Sequence, residues 1–133
     1  MSTYVREKVL RIPYDQTSLQ YRFADPEDAR DYLEKNFKEL FDYGTVGKFQ
    51  FAPTETLFLD YVLEREYDAD YGEFGKTRAL YGNEEERFAH IFCQLIPDIN
   101  MSKVRLVEFC WYNCTEAPDY YDELKDPFYQ EID

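Results

Sequence analysis

Leu57-Phe58-Leu59-Asp60-Tyr61-Val62-Leu63-Glu64-Arg65-Glu66-Tyr67-Asp68-Ala69-Asp70-Tyr71 runs through the middle of this 133-residue chain with a period of two. Leu57, Leu59, Tyr61, Leu63, Tyr67 and Tyr71 share one parity; Asp60, Glu64, Glu66, Asp68 and Asp70 share the other. Successive side chains of an extended strand point to opposite faces. The pattern therefore predicts a long strand with one apolar, aromatic face and one row of carboxylates. Neighbouring acids at Glu64, Glu66, Asp68 and Asp70 would sit about 6.8 Å apart, which is two strand rises. Phosphates along a nucleic-acid strand follow a similar scale, with an axial rise of about 3.4 Å per nucleotide. Phe58 and Val62 interrupt the alternation, and a buried helix over 55–66 is the rival assignment. On that helix Asp60, Glu64 and Asp68 would still share a face.

Upstream of this stretch, Lys48 to Ala52 reads as a short strand. Pro26 to Phe41 reads as a helix that begins with Asp25 as N-cap, has Pro26 at its first position, and carries Glu27 and Asp28 in the first turn. Ala29, Tyr32, Leu33, Asn36, Phe37, Leu40 and Phe41 form its buried stripe, and Gly44 is the expected stop. Further back, Lys8 to Ile12 and Leu19 to Phe23 read as strands joined through the Pro13-Tyr14-Asp15 turn.

Downstream, Gly72 to Gly82 reads as a loop with a basic pair, Lys76 and Arg78. A second helix is predicted with Asn83 as N-cap, Glu86 at N3, and Phe88, Ile91, Phe92, Leu95 and Ile96 on its apolar face. Lys103 to Tyr112 is apolar on both parities, which suits an interior strand. The expected fold is α+β: an antiparallel or mixed sheet of about five strands, with two helices packed on one face. Residues 1–115 are expected to make one globular domain, and residues 116–133 an acidic, Tyr-rich C-terminal extension packed on it.

The net charge is −13, and it is unevenly placed. Residues 60 to 75 hold six acids and Arg65; residues 116 to 133 hold seven acids and Lys125; together they account for −11 of the −13. Each segment also carries four aromatic residues, within a chain total of 13 Tyr and 11 Phe. Such a charge opposes direct contact with nucleic acid or anionic membrane and favours a basic partner. No apolar run is long enough to span a bilayer, and the charged N-terminus lacks a signal-peptide core, so a cytoplasmic location is expected. Three cysteines, an odd number without a scaffold spacing, fit a reducing compartment.

His90, Cys93, Cys110 and Cys114 are the one set of side chains with zinc-ligand spacing. Helical geometry turns His90 away from the Phe88–Ile96 stripe while Cys110 lies in a core strand, so the set does not converge and neither metal nor cofactor is expected. Asp68-Ala69-Asp70-Tyr71-Gly72 is no calcium loop, because glycine falls at position five and Ala79 stands at position twelve. Phosphate-loop, dinucleotide, nucleophile-elbow and HExxH motifs are all missing, and a catalytic role is not expected. The residues favour a non-enzymatic acidic module that covers a basic, nucleic-acid-handling protein surface. Its concrete forms are an inhibitor of a nuclease or restriction-type defence system and an immunity protein for a nuclease toxin. The expected contacts are Asp60, Glu64, Glu66, Asp68 and Asp70, with Tyr61, Tyr67 and Tyr71 beside them and Asp119, Asp122 and Glu123 in the extension. The competing readings are an accessory acidic protein without mimicry and a small enzyme or zinc protein built on His90 and the cysteines.

Overall fold

A computed structural model describes residues 3–52, 56–69 and 76–113. Five strands form one antiparallel sheet: β1 (Thr3–Pro13), β2 (Phe49–Phe51), β3 (Phe58–Ala69), β4 (Lys76–Ala79) and β5 (Arg105–Asn113). Their spatial order is β2-β3-β1-β5-β4. The helices are α1 (Leu19–Arg22), α2 (Pro26–Asn36) and α3 (Gly82–Phe92). This is the α+β architecture expected, with the Leu57–Tyr71 stretch extended rather than helical over Phe58–Ala69.

The main core lies between one sheet face and the two longer helices. Leu10 and Ile12 of β1, Phe49 and Phe51 of β2, Leu59 of β3 and Leu106 of β5 meet Ala29 and Leu33 of α2 and Phe88 and Phe92 of α3. The Phe49 ring stands edge-on to Phe92 at 5.6 Å and to Tyr61 at 5.0 Å, a favoured arrangement for aromatic quadrupoles. The opposite face is also closed to solvent: Val5, Val9, Val62 and Val107 are each 0% exposed. Burial on both faces explains why β5 reads apolar at both parities and why Val62 broke the alternation of β3.

Three local expectations are corrected. Leu19 to Arg22 is a helical turn, not a strand. The Tyr14 hydroxyl sits against the carbonyls of Leu19 and Phe23, and Thr17 Oγ1 donates to the Tyr14 carbonyl at 2.7 Å. These contacts fix a compact corner that a five-residue alternation could not reveal. Helix α2 starts as predicted, the Asp25 carboxylate accepting from the Glu27 N–H at 2.9 Å, but it stops at Asn36. Beyond it, the Leu40 carbonyl and Asp42 N–H bond to the two backbone groups of Phe49, so residues 40–42 line up against β2 and cannot continue a helix. Lys76 to Ala79, expected in a loop, forms the edge strand β4. A short, charged sequence is usual at a sheet edge and leaves little periodic signal.

Helix α3 begins two residues earlier than expected, with Tyr81 instead of Asn83 as N-cap. Glu84 accepts from the Tyr81 N–H at 2.9 Å and from both terminal nitrogens of Arg78, at 2.7 and 3.0 Å. Those bonds to Arg78 and to the backbone hold the Glu84 carboxyl at about 2, well below its ordinary 4.5. The predicted apolar residues do pack inward, Phe88 and Phe92 from the helix and Leu95 and Ile96 from the chain after it, with Ile91 only partly buried; the helix itself ends at Phe92, short of the predicted stripe.

Candidate partner-binding surface

One irregularity in β3 decides where its acids point. Across β1 the register pairs Val62 with Val9 but Glu64 with Lys8, so Leu63 is an extra residue on β3. A bulge of this kind shifts the alternation by one. Before it, odd-numbered Leu59 and Tyr61 face the helices; after it, even-numbered Glu64 and Glu66 share that face, opposite Lys8 and Arg6. The predicted single row of carboxylates is therefore split between two faces.

Asp60 is on the other face and is 0% exposed. Its two oxygens take a fork from Arg11, Nε to Oδ1 at 2.6 Å and Nη2 to Oδ2 at 2.7 Å. It is a structural carboxylate and makes no surface contact, which corrects its assignment to partner binding. Tyr61 is half-buried against Phe49 and the core, so it serves packing and is not a rim anchor. Tyr67 is 60% exposed, its ring 5.0 Å from the Arg65 guanidinium carbon, and suits the predicted role. Asp68 lies on β3, where only its backbone is described. Asp70, Tyr71, Asp119, Asp122 and Glu123 lie outside the described residues.

At the far end of this sheet face, beyond the described helices, stand Glu64, Glu66 and Glu108. They alternate with cations: Lys8 Nζ is 3.7 Å from Glu64 and 3.2 Å from Glu108, and an Arg6 nitrogen is 3.9 Å from Glu66. A cleft of about 310 Å³ lies between these side chains. The Glu64 and Glu66 side chains remain 72% and 62% exposed, so the pairs are loose, screened and individually weak. Chemically this is a ladder of weak, solvated ion pairs. The ladder could have been anticipated from Arg6-Glu7-Lys8, whose cations share a parity, but only once β1 was known to neighbour β3.

Directly behind the ladder is a buried polar cluster that the sequence did not reveal. Glu7, 1% exposed, accepts from Arg65 Nη1 at 2.8 Å and from the Gln50 amide at 3.3 Å. Gln50 in turn accepts from the Gly44 N–H at 2.7 Å, and Arg65 donates to the Gly44 carbonyl at 3.2 Å. Burial raises the Glu7 carboxyl from its ordinary 4.5 to about 7, and the nearby Asp60 adds to the rise against the pull of Arg65. Gly44 has φ +69°, and a Cβ there would lie 2.1 Å from Arg65 Nη1. Both its conformation and its space thus require glycine. The residue expected to stop α2 instead carries the loop over this cluster.

His90 and Cys93 are both exposed on α3 and its end. Cys110 is on β5, where only its backbone is described, and Cys114 lies outside the described residues. Among the described residues no three His, Cys, Asp or Glu side chains gather closely enough to hold a metal ion. No helix among them is long and apolar enough to cross a membrane.

No family model matches the chain, and neither a curated protein nor a solved structure is significantly similar to it.

Proposed function

We propose that this protein is a non-enzymatic binding module that covers a basic surface of a partner protein, using the Glu64–Glu66 end of its sheet together with the charge of its acidic segments. The observation that supports this reading is the contrast between the two kinds of acid in β3. Asp60, which the fold needs, is buried and fully paired. Glu64 and Glu66 are mostly solvated, and among the described residues they are held by long contacts to Arg6 and Lys8. A partner's lysines and arginines can displace those internal cations without disturbing the core. The segments 60–75 and 116–133 add a field that would speed such an encounter. A protein whose basic groove holds nucleic acid is the natural target, so inhibition of a nuclease or restriction-type defence system, or immunity to a nuclease toxin, is the concrete form. Competition for the groove's cations replaces a strict phosphate-like row as the mechanism, because Asp60 is not part of the surface.

The test is capture of partners from the native cell at low and high salt, with the wild type beside Glu64→Lys/Glu66→Lys. A basic partner, lost at high salt and with the reversal, is the expected result. A partner that is neutral or acidic, or one indifferent to the reversal, would sink the proposal.

A further inference from the structure

Four hydrogen bonds close a ring beneath the loop from Asp42 to Gly47. The Gly44 N–H donates to Gln50 Oε1 at 2.7 Å, and the Gln50 amide donates to Glu7 Oε1 at 3.3 Å. On the other side, Arg65 Nη1 donates to Glu7 Oε2 at 2.8 Å and to the Gly44 carbonyl at 3.2 Å. Both backbone groups of Gly44 are thus tied, through two different strands, to the two oxygens of one buried carboxylate. The ends of the loop are held separately, the Asp42 N–H by the Phe49 carbonyl at 3.1 Å and the Gly47 N–H by the Val62 carbonyl at 2.8 Å. Its tip presents Tyr43 and Val46, 46% and 52% exposed. We propose that the ring is a proton-operated latch: ionised Glu7 holds the middle of the loop down, and uptake of one proton by Glu7 releases it.

Within the ring Glu7 meets only donors. A carboxylate accepts both bonds at once, whereas a carboxylic acid carries an O–H that must itself donate. Neither the Gln50 NH₂ nor the Arg65 guanidinium can accept it. The proton belongs on Oε1, because the shorter, charge-assisted bond from Arg65 holds Oε2. The Gln50 amide then either parts from Glu7 or turns over to accept the new O–H. Turning over sets its NH₂ against the Gly44 N–H, donor against donor. Either outcome breaks the path from Gly44 to Glu7 through Gln50 and leaves the 3.2 Å bond from Arg65.

Among the described residues, the charges acting on Glu7 are Arg65 and Asp60 on β3 and Arg11 on its own strand. β2 offers the neutral Gln50, the loop offers the Gly44 backbone, and β5 sets Phe109 opposite Glu7. Burial and Asp60 lift the Glu7 carboxyl to about 7 against the pull of Arg65, so the exchange falls near neutrality. The same proton relieves a buried charge, so the loop is released without loss of overall stability.

The experiment needs no partner. The isotopically labelled protein is followed by NMR from about pH 5.5 to about pH 8.5, a window that brackets the Glu7 titration. The readouts are the side-chain carboxyl carbon of Glu7 and the exchange protection of each loop amide, normalised to its intrinsic rate at each pH. Protection of the Gly44 N–H should fall at least about fivefold toward acid, with the midpoint of the Glu7 carboxyl. The Asp42 and Gly47 N–H groups should keep theirs, since their acceptors are backbone carbonyls. Glu7→Gln, with a single acceptor oxygen, should show the low Gly44 protection at every pH. So should Gln50→Leu, which removes the acceptor of Gly44 and leaves Glu7 to titrate. His90→Gln, at the only histidine, which is exposed on α3, should leave the profile unchanged. A flat Gly44 profile across the Glu7 titration, equal loss at Asp42 and Gly47, or a wild-type profile in either ring variant would overturn the inference. A Glu7 carboxyl that does not titrate in this window would overturn it as well.

Discussion

Arg11 and Asp60, 49 residues apart, form a forked ion pair between β1 and β3 with side chains 4% and 0% exposed. Two buried charges gain little net stability over well-packed apolar groups, but removing one of them strands the other. Asp60→Ala should therefore cost about 3–5 kcal/mol of unfolding free energy, measured by urea denaturation. Replacing both residues, as Arg11→Met/Asp60→Leu, should recover most of that loss. A single-mutant cost under about 1 kcal/mol would show that Asp60 is not a structural residue.

Glu7 supplies a pH dependence of definite sign. Its folded value, about 7, lies above the ordinary 4.5, so the native state binds more protons than the unfolded chain between those limits. Its contribution to stability is fully present below about 4.5 and is lost as pH rises through about 7. The whole effect is of the order of 3 kcal/mol. Glu7→Gln cannot titrate, so the stability of the wild type minus that of the variant should fall between pH 4.5 and pH 8. A difference that is flat, or that moves in favour of the wild type, would mean that Arg65 outweighs burial and keeps the carboxylate ionised.

The two helices offer a graded test of the core. Phe92 is 0% exposed and packs on Phe49, so Phe92→Ala should cost about 3–5 kcal/mol. Phe37 was expected on the buried face of α2. It lies instead at the helix's C-terminal cap and is only partly buried. Phe37→Ala should cost less than half as much, and equal losses in chemical denaturation would contradict the early end of α2.

These cases also mark how far the chain could be read without its structure. Signals confined to a few neighbouring residues were legible: Asp25-Pro26 starting α2, the Phe88–Ile96 stripe, and the extended character of Leu59–Tyr67. What failed depended on partners distant in sequence. The bulge at Leu63 has no glycine or proline to announce it, yet it turns Glu64 and Glu66 to a different face from Asp60. The Glu7–Arg65 pair joins residues 58 apart. Charge patterning found the acidic strand but could not separate its buried carboxylate from its solvated ones, because that distinction is made by Arg11 on the neighbouring strand.

The last prediction concerns the carboxylates assigned to binding, and it separates them from the fold. Glu64, Glu66 and Glu108 meet Lys8 and Arg6 at 3.2–3.9 Å with side chains 40–72% exposed. Exposed pairs of this kind contribute about 0.2–1 kcal/mol at most, and salt reduces that further. Glu64→Gln and Glu66→Gln should each change the unfolding free energy by less than about 0.5 kcal/mol. Raising the salt concentration should not widen the gap, because screening already weakens the wild-type pairs. Asp60→Asn, with the same chemical change inside the sheet, should cost several times more. If neutralising Glu64 and Glu66 instead destabilised the protein as much as Asp60→Asn, the ladder would be part of the scaffold. Its cations would then not be exchangeable, and the surface reading would lose the feature that supports it.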